Sequence, residues 1–260
     1  MSVVATERVG RTSIVTITRP EARNALTRDA NRLLVVALDA AANDPEVRVV
    51  VLTGANGHFC SGADLKKNFI DDPDLMNKLD DYLTEYQAVI RSVVRCPKPT
   101  IAMLTGAAVG FGADLALACD LRIASDTAYV QERFTKIGLM PDGGGTFWLP
   151  RLVGTARALQ IILLAQKIDG PQMKELGLVV DVVPADRLRE ATLDLARTLE
   201  EGPPLAHAAI KEAVYASWGS SVDDALRRER EGQIRLLRSQ DAMEGVVAWT
   251  ERRDPVFRGK

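Results

Sequence analysis

The sequence predicts an α/β core over residues 1–185 and a helical module over residues 186–260, and three observations carry that prediction. Apolar runs with strand character alternate with segments whose apolar residues recur at helical spacing. Val47, Val49, Val50, Val51 and Leu52 form a near-continuous apolar run, the pattern of a strand buried on both faces. Beyond Pro184 no strand pattern remains, and each further segment reads as helix.

Taken in order, Ser13–Thr18 alternates apolar and polar residues and reads as a strand that Arg19-Pro20 ends. Thr27 is placed to cap a helix carrying Leu33, Leu34, Ala37, Leu38 and Ala41 on one side. Val47–Thr53 is the doubly buried strand. Asp74 to Arg95 reads as one long amphipathic helix, stopped by Cys96-Pro97-Lys98-Pro99. Thr100–Leu104 and Leu121–Ala124 are two short strands. Thr155 is expected to cap a helix through Leu164, and Pro171 and Gly177 bracket another. Val179–Val183 is the last strand. Asp186–Glu200, Pro204–Ala216, Ser221–Leu237 and Asp241–Arg252 are the predicted helices of the module, with Gly202-Pro203-Pro204 a turn inside it.

Composition narrows the function classes. The net charge of −2 gives no reason to expect a nucleic-acid partner, although a local basic patch can still bind a phosphate group. Cys60, Cys96 and Cys119 lack metal-site spacing and read as reduced thiols of a cytoplasmic protein. The first residues carry no signal-type apolar core, and the apolar stretch Leu159–Ala165 is too short for a bilayer, so no membrane partner is expected.

Chemistry concentrates in three glycine-rich loops. Ser61-Gly62-Ala63-Asp64-Leu65 and Gly110-Phe111-Gly112-Ala113-Asp114-Leu115 each follow an apolar strand and open a helix. Each can therefore aim free backbone N–H groups at one external oxygen. Two donors converging on a carbonyl make an oxyanion hole, where one donor is worth about 2.7–4 kcal/mol to the transition state. The third loop is Pro141-Asp142-Gly143-Gly144-Gly145.

With Arg19-Pro20, Asn24-Ala25-Leu26, Phe59 to Lys66, Gly110 to Asp120, Gly138 to Thr146, Leu149 to Gly154 and Arg253 to Phe257, the chain resembles the enoyl-CoA hydratase/isomerase (crotonase) family over nearly its whole length. The resemblance implies a crotonase-like spiral of β-β-α units with a C-terminal helical trimerisation module, in trimers or dimers of trimers. It implies an acyl-CoA thioester as substrate, coenzyme A being part of that substrate, and no metal or redox cofactor. It assigns the oxyanion donors to the backbone N–H groups of Ala63 and Phe111. Ala25, Ala63, Asp64 and Leu65 match the positions whose backbone lines the coenzyme A site, with Lys66, Arg23, Arg258 or Lys260 as partners for its phosphates. Phe111 stands where the family commonly has glycine, which narrows the pocket beside the thioester.

Hydratases of this family use two glutamates to hold and activate water. Here the matching positions are Asp114, a shorter carboxylate, and Phe134, which can neither take a proton nor orient water. The water-adding machinery is thus incomplete, and Asp114, Asp142 and Glu132 are the carboxylates left to consider. Asp114 reads equally as a general base and as a helix-start carboxylate favoured by the dipole. Asp142 reads as acid/base rather than as a turn-forming Asp, and Glu132, beside Arg133, as a surface charge. One or two carboxylates near an oxyanion hole suit proton shuttling, so the expected reaction is double-bond migration in an enoyl-CoA, with Asp114 and Asp142 as candidate catalytic residues. Hydration of a 2-enoyl-CoA is the alternative, and an acyl-CoA-binding scaffold without turnover is the second. Phe111 and Phe134 are expected to line a pocket for a short or flat acyl group. His58 reads as loop surface and His207 as interface or surface. Phe147 and Trp148 read as acyl pocket or core, and Tyr82 and Tyr86 as facing the acyl chain or a neighbouring subunit. A dinucleotide site fails for want of a third glycine at the required spacing, and a serine hydrolase for want of the Gly-x-Ser-x-Gly elbow.

Overall fold

A computed structural model describes residues 2–260. The chain runs β1 (Val4–Val9), β2 (Thr12–Ile17), α1 (Arg28–Asn43), β3 (Val49–Gly54), α2 (Leu79–Arg95), β4 (Thr100–Leu104), β5 (Ala107–Val109), α3 (Phe111–Ala118), β6 (Leu121–Ser125) and β7 (Tyr129–Gln131). It continues with α4 (Gly145–Val153), α5 (Thr155–Leu163), β8 (Lys167–Asp169), α6 (Gly170–Glu175), β9 (Asp181–Val183), α7 (Leu188–Glu201), α8 (Pro204–Ser217), α9 (Val222–Leu236) and α10 (Gln240–Glu251).

A six-stranded sheet has the order β1-β2-β3-β4-β6-β9, parallel throughout except for the β1–β2 hairpin. A smaller sheet, β5-β7-β8, stands beside it, and Cys60 extends it through a parallel bridge to Ala108. The chain steps from the large sheet to the small one at β4–β5 and again at β6–β7 before returning through helix, which makes the β-β-α spiral.

Val49 to Leu52 are almost wholly buried because both faces of the large sheet are covered. Val50 and Leu52 join Leu34, Leu38, Val89, Val93 and Leu115 on one side, whereas Val49 and Val51 meet Ile14, Ile101, Ile123, Leu188 and Ala196 on the other. Each such side chain contributes about 1.5–3 kcal/mol by leaving water. Helix α7 therefore closes the second face of the sheet, although it lies beyond residue 185. Helix α8 is tied down by Lys211 Nζ, which pairs with Asp120 at 2.7 Å, while Tyr215 donates to the other oxygen of the same carboxylate at 2.8 Å. No helix among the described residues is long and apolar enough to cross a membrane, and all three cysteines are free and buried.

Several local expectations change. β1 was hidden because it is an edge strand with one apolar contact face too short to alternate clearly. β5, β7 and β8 are three residues each, too brief for any periodic signal. The helix predicted from Asp74 starts at Leu79, after a short 3-10 turn over Leu75–Asn77. Thr155 is the first helical residue of α5 rather than its cap, the cap position being Gly154. Thr27 does cap α1, accepting the Ala30 N–H at 3.2 Å.

Candidate functional site

The first glycine loop is held by buried and half-buried polar groups, Asn24 foremost. Asn24, with a left-handed φ of 59°, accepts the Arg19 N–H and donates to the carbonyls of Ala55 and His58 at 2.8 and 2.7 Å. Arg19 reaches Asp64 at 2.9 Å and also donates to the Ala25 carbonyl. Leu26 then pairs with the loop, donating to the Gly62 carbonyl and accepting from Asp64 N–H, both at 2.8 Å. His58 ties the loop to β5 by accepting the Ala107 N–H at 3.2 Å, so it is a structural acceptor rather than loop surface.

This framework leaves the Ala63 N–H without a protein acceptor among the described residues. Phe111 opens α3, so its N–H has no acceptor within the helix. The two loops touch at Gly62, whose φ of 95° excludes ordinary side chains. A Cβ there would stand 2.7 Å from the Val109 carbonyl oxygen and 3.5 Å from the Phe111 nitrogen.

Both residues line one cavity of about 370 Å³. Leu65, Phe69, Tyr82 and Phe134 form its apolar wall, and Arg133 and Lys136 lie on its rim. Asp142 is the carboxylate that lines it. Its Oδ1 has no hydrogen-bond partner among the described residues. Burial pushes its carboxyl up to about 6, against the pull of its own backbone N–H. The Phe111 ring lies edge-on to Tyr86 at 5.0 Å, so much of its bulk goes into the core.

Asp114 is wholly buried and does not line the cavity. Its Oδ2 accepts the Gly143 N–H at 2.8 Å, behind the third glycine loop. Burial pushes it well above the usual carboxylate range, the Gly143 N–H pulling against this and the Asp142 charge adding to it. Glu132 corrects the surface reading: it is also wholly buried. Gly110 N–H takes the Gln131 carbonyl at 2.9 Å and a 3-10 turn begins at Phe134, so the strand alternation stops there. Phe134 and Glu132 both point inward but to different places, Phe134 to the cavity and Glu132 to the underside of Gly145.

Of the positions matched to a coenzyme A site, Ala63 and Leu65 line the cavity; Ala25 and Asp64 are engaged in holding the loop. Lys66 is exposed at the start of a short π-helical turn, and Arg23 is exposed on the neighbouring turn. Arg258 and Lys260 line a different crevice, with Arg11 and Arg48. Trp148 is core: with Phe147 it joins Tyr215 and Trp218 in an aromatic cluster between α4 and α8. Tyr86 donates to the Leu26 carbonyl, and Tyr82 faces the cavity. His207 is half-buried against Gly202. Asn24 was the functional support most open to discovery, since an Asn after a Pro turn is a common left-handed residue; Arg133 and Lys136 carried no such signal.

The profile of the family described as Enoyl-CoA hydratase/isomerase matches residues 10–260. The chain belongs to that family. It is 40% identical over 248 residues to a probable enoyl-CoA hydratase of Rhodobacter capsulatus, covering 95% of each chain. It is 36% identical over 250 residues to a 1,2-epoxyphenylacetyl-CoA isomerase of Escherichia coli, covering 95% of this chain and 94% of the relative. The crystal structure of an enoyl-CoA hydratase from Bacillus anthracis superimposes with a TM-score of 0.94 at 30% identity, each chain covered in full. The family's crotonase fold, with its helical C-terminal region, is thus the fold of this chain, and acyl-CoA chemistry is the frame in which the cavity is read.

Proposed function

We propose that the protein is an enoyl-CoA isomerase: it binds an acyl-CoA thioester with the carbonyl oxygen between the Ala63 and Phe111 N–H groups, and Asp142 moves the proton. The observation that carries this reading is the division between carboxylates. Asp142 borders the cavity with an unpartnered oxygen and a raised affinity for protons, whereas Asp114 is sealed behind it. A base with its pKa near the working pH can both take and return a proton.

Ionised Asp142 removes a proton from one carbon of the enoyl chain, and the electron pair moves onto the thioester oxygen as a dienolate. The two N–H donors stabilise that charge. The same carboxyl then returns its proton to a different carbon, the double bond has moved, and nothing is added or oxidised. Phe134 keeps the wall apolar, which disfavours water at the position where hydratases activate it. In this reading Lys66, Arg133 and Lys136 meet the phosphates of coenzyme A, supported by Arg133 and Lys136 lining the cavity and by the exposure of Lys66 next to Leu65. The apolar residues exposed on the last helices, among them Leu226, Ile234, Val246 and Trp249, support a homotrimer or dimer of trimers.

Hydration is the second reading, favoured by the name of the Rhodobacter relative. The test is crotonyl-CoA and a matched 3-enoyl-CoA in deuterated water, read by product mass. The share of deuterium in the product reads how far the Asp142 proton exchanges with solvent before it is returned, and bond migration with no mass of water supports the isomerase. Water addition that survives at full rate would replace it with the hydratase, and tight binding with no turnover would leave a scaffold.

A further inference from the structure

The third glycine loop rests on two carboxyl groups and no cation. Asp114 and Glu132 are both fully buried, and neither forms an ion pair among the described residues. A Cβ on Gly143 would stand 2.7 Å from the Asp114 Cβ, and one on Gly145 would strike Asp114 Oδ1 and stand 2.9 Å from Glu132 Oε1. Both carboxyls thus press on the same turn, from α3 and from the end of β7. Asp114 Oδ2 is occupied by the Gly143 N–H, but Asp114 Oδ1 and both oxygens of Glu132 have no other partner among the described residues. Two bare carboxylates sealed together are not sustainable, because burial and mutual repulsion both oppose the second charge. One proton between them would engage two of the three open atoms, a Glu132 O–H donating to Asp114 Oδ1, and would remove one of the two charges.

We propose that Asp114 and Glu132 share a single proton as a closed pair beneath the third glycine loop, and that this pair holds the Gly143 amide, and with it the Asp142 carboxyl, at the cavity. Both are positioning residues; the inference deepens the reading of Asp142 as the base and rests on it for the functional half. Burial holds Glu132 well above the usual carboxylate range, with the Asp114 charge adding to it. The groups facing the pair are the Gly143 and Gly145 amides and the Asp142 carboxyl, all from the third loop. Trp148 Nε1, buried without a partner, lies on the other side of Gly144.

The pair itself is read by infrared difference spectroscopy of the intact protein against Glu132→Gln in neutral solution. A protonated-carboxyl C=O band present in the parent, lost in Glu132→Gln and retained in Asp142→Asn supports proton sharing. Absence of that band in the parent overturns it, whatever reaction the enzyme performs. For positioning, Glu132→Ala leaves Asp114 as a lone buried charge. Its kcat is expected to fall about 10²-fold with KM little changed, as for a displaced reacting group. Glu132→Gln, whose amide N–H donates as the shared proton does, is expected to restore most of that loss and to keep the pH profile. A Glu132→Gln as impaired as Glu132→Ala would refute the positioning role. Full activity of Asp142→Asn would instead refute the base, and the infrared result would stand apart from it.

Discussion

Replacing Asp142 by asparagine sets activity against stability, and both changes follow from one property of the site. Burial moves the Asp142 carboxyl from 3.8 to about 6, which places its ionised form at a disadvantage of about 3 kcal/mol in the folded protein. Because the folded pKa is raised, the stability associated with the proton is full below about pH 4 and is lost as pH rises through about 6. Asp142→Asn does not titrate, so it gains on the parent over that window by up to about 3 kcal/mol and matches it in acid. Activity moves the other way. The parent's kcat/KM is expected to rise about tenfold per pH unit below 6 and to level above it, whereas the variant loses about 10²–10⁴-fold. Denaturant titrations of both proteins from pH 4 to 8, beside kcat/KM profiles with a 3-enoyl-CoA, read the two effects. Differencing parent and variant cancels the titration of Asp114 and Glu132 to the extent that these keep their environment. A stability difference that does not change with pH, or a variant with ordinary activity, would refute the reasoning.

Gly62→Ala forces a Cβ against the Val109 carbonyl at a φ of 95°, and is expected to separate the two donor loops, cutting kcat and costing about 1–3 kcal/mol in a melt. Asn24→Ala leaves the Arg19 N–H and two carbonyls unsatisfied at about 1–3 kcal/mol each. Denaturation should show that loss before any assay does. Lys211→Ala removes the cation from Asp120 but leaves its bonds from Thr100 and Tyr215, and is expected to cost about 1–3 kcal/mol, seen by hydrogen exchange first in the C-terminal helices. Phe134→Glu puts a second carboxylate in the cavity wall; product masses should show more water added to crotonyl-CoA and slower bond migration at neutral pH, because a like charge pushes Asp142 higher.

What the sequence disclosed depended on how locally each feature is determined. β3 stood out because burial on both sides of the sheet demands continuous apolar residues, and β2 by its alternation of apolar and polar residues; β4 and β6 were legible as short apolar-rich stretches. β5 and β7 are three residues long and exist because the chain steps sideways from one sheet to the other, a pairing that no window of residues contains. The loops that carry Ala63, Phe111 and Asp142 were legible because glycine is required where another group nearly touches the chain: backbone at Gly62 and Gly112, buried side chains at Gly143 and Gly145. Glu132 was not. Its neighbours Gln131 and Arg133 are polar, and its inward direction is set by a hydrogen bond from Gly110, 21 residues earlier in the chain, to the carbonyl of Gln131.

The burial of Glu132 also bears on why Phe134 is compatible with catalysis. A carboxylate in the cavity wall beside Asp142 would hold water and add a second charge to the substrate's surroundings. Here the wall is phenyl, and the remaining carboxyls are withdrawn behind Gly143 and Gly145. The wall beside Asp142 is apolar, and desolvation is the leading cause of the raised Asp142 pKa. Under the proposed isomerase reading, a phenyl wall without a water-holding carboxylate goes with the burial that raises the proton affinity of Asp142, the property a one-base reaction requires. In that reading an apolar wall at Phe134 does two things at once: it disfavours water and leaves Asp142 in surroundings that hold its proton.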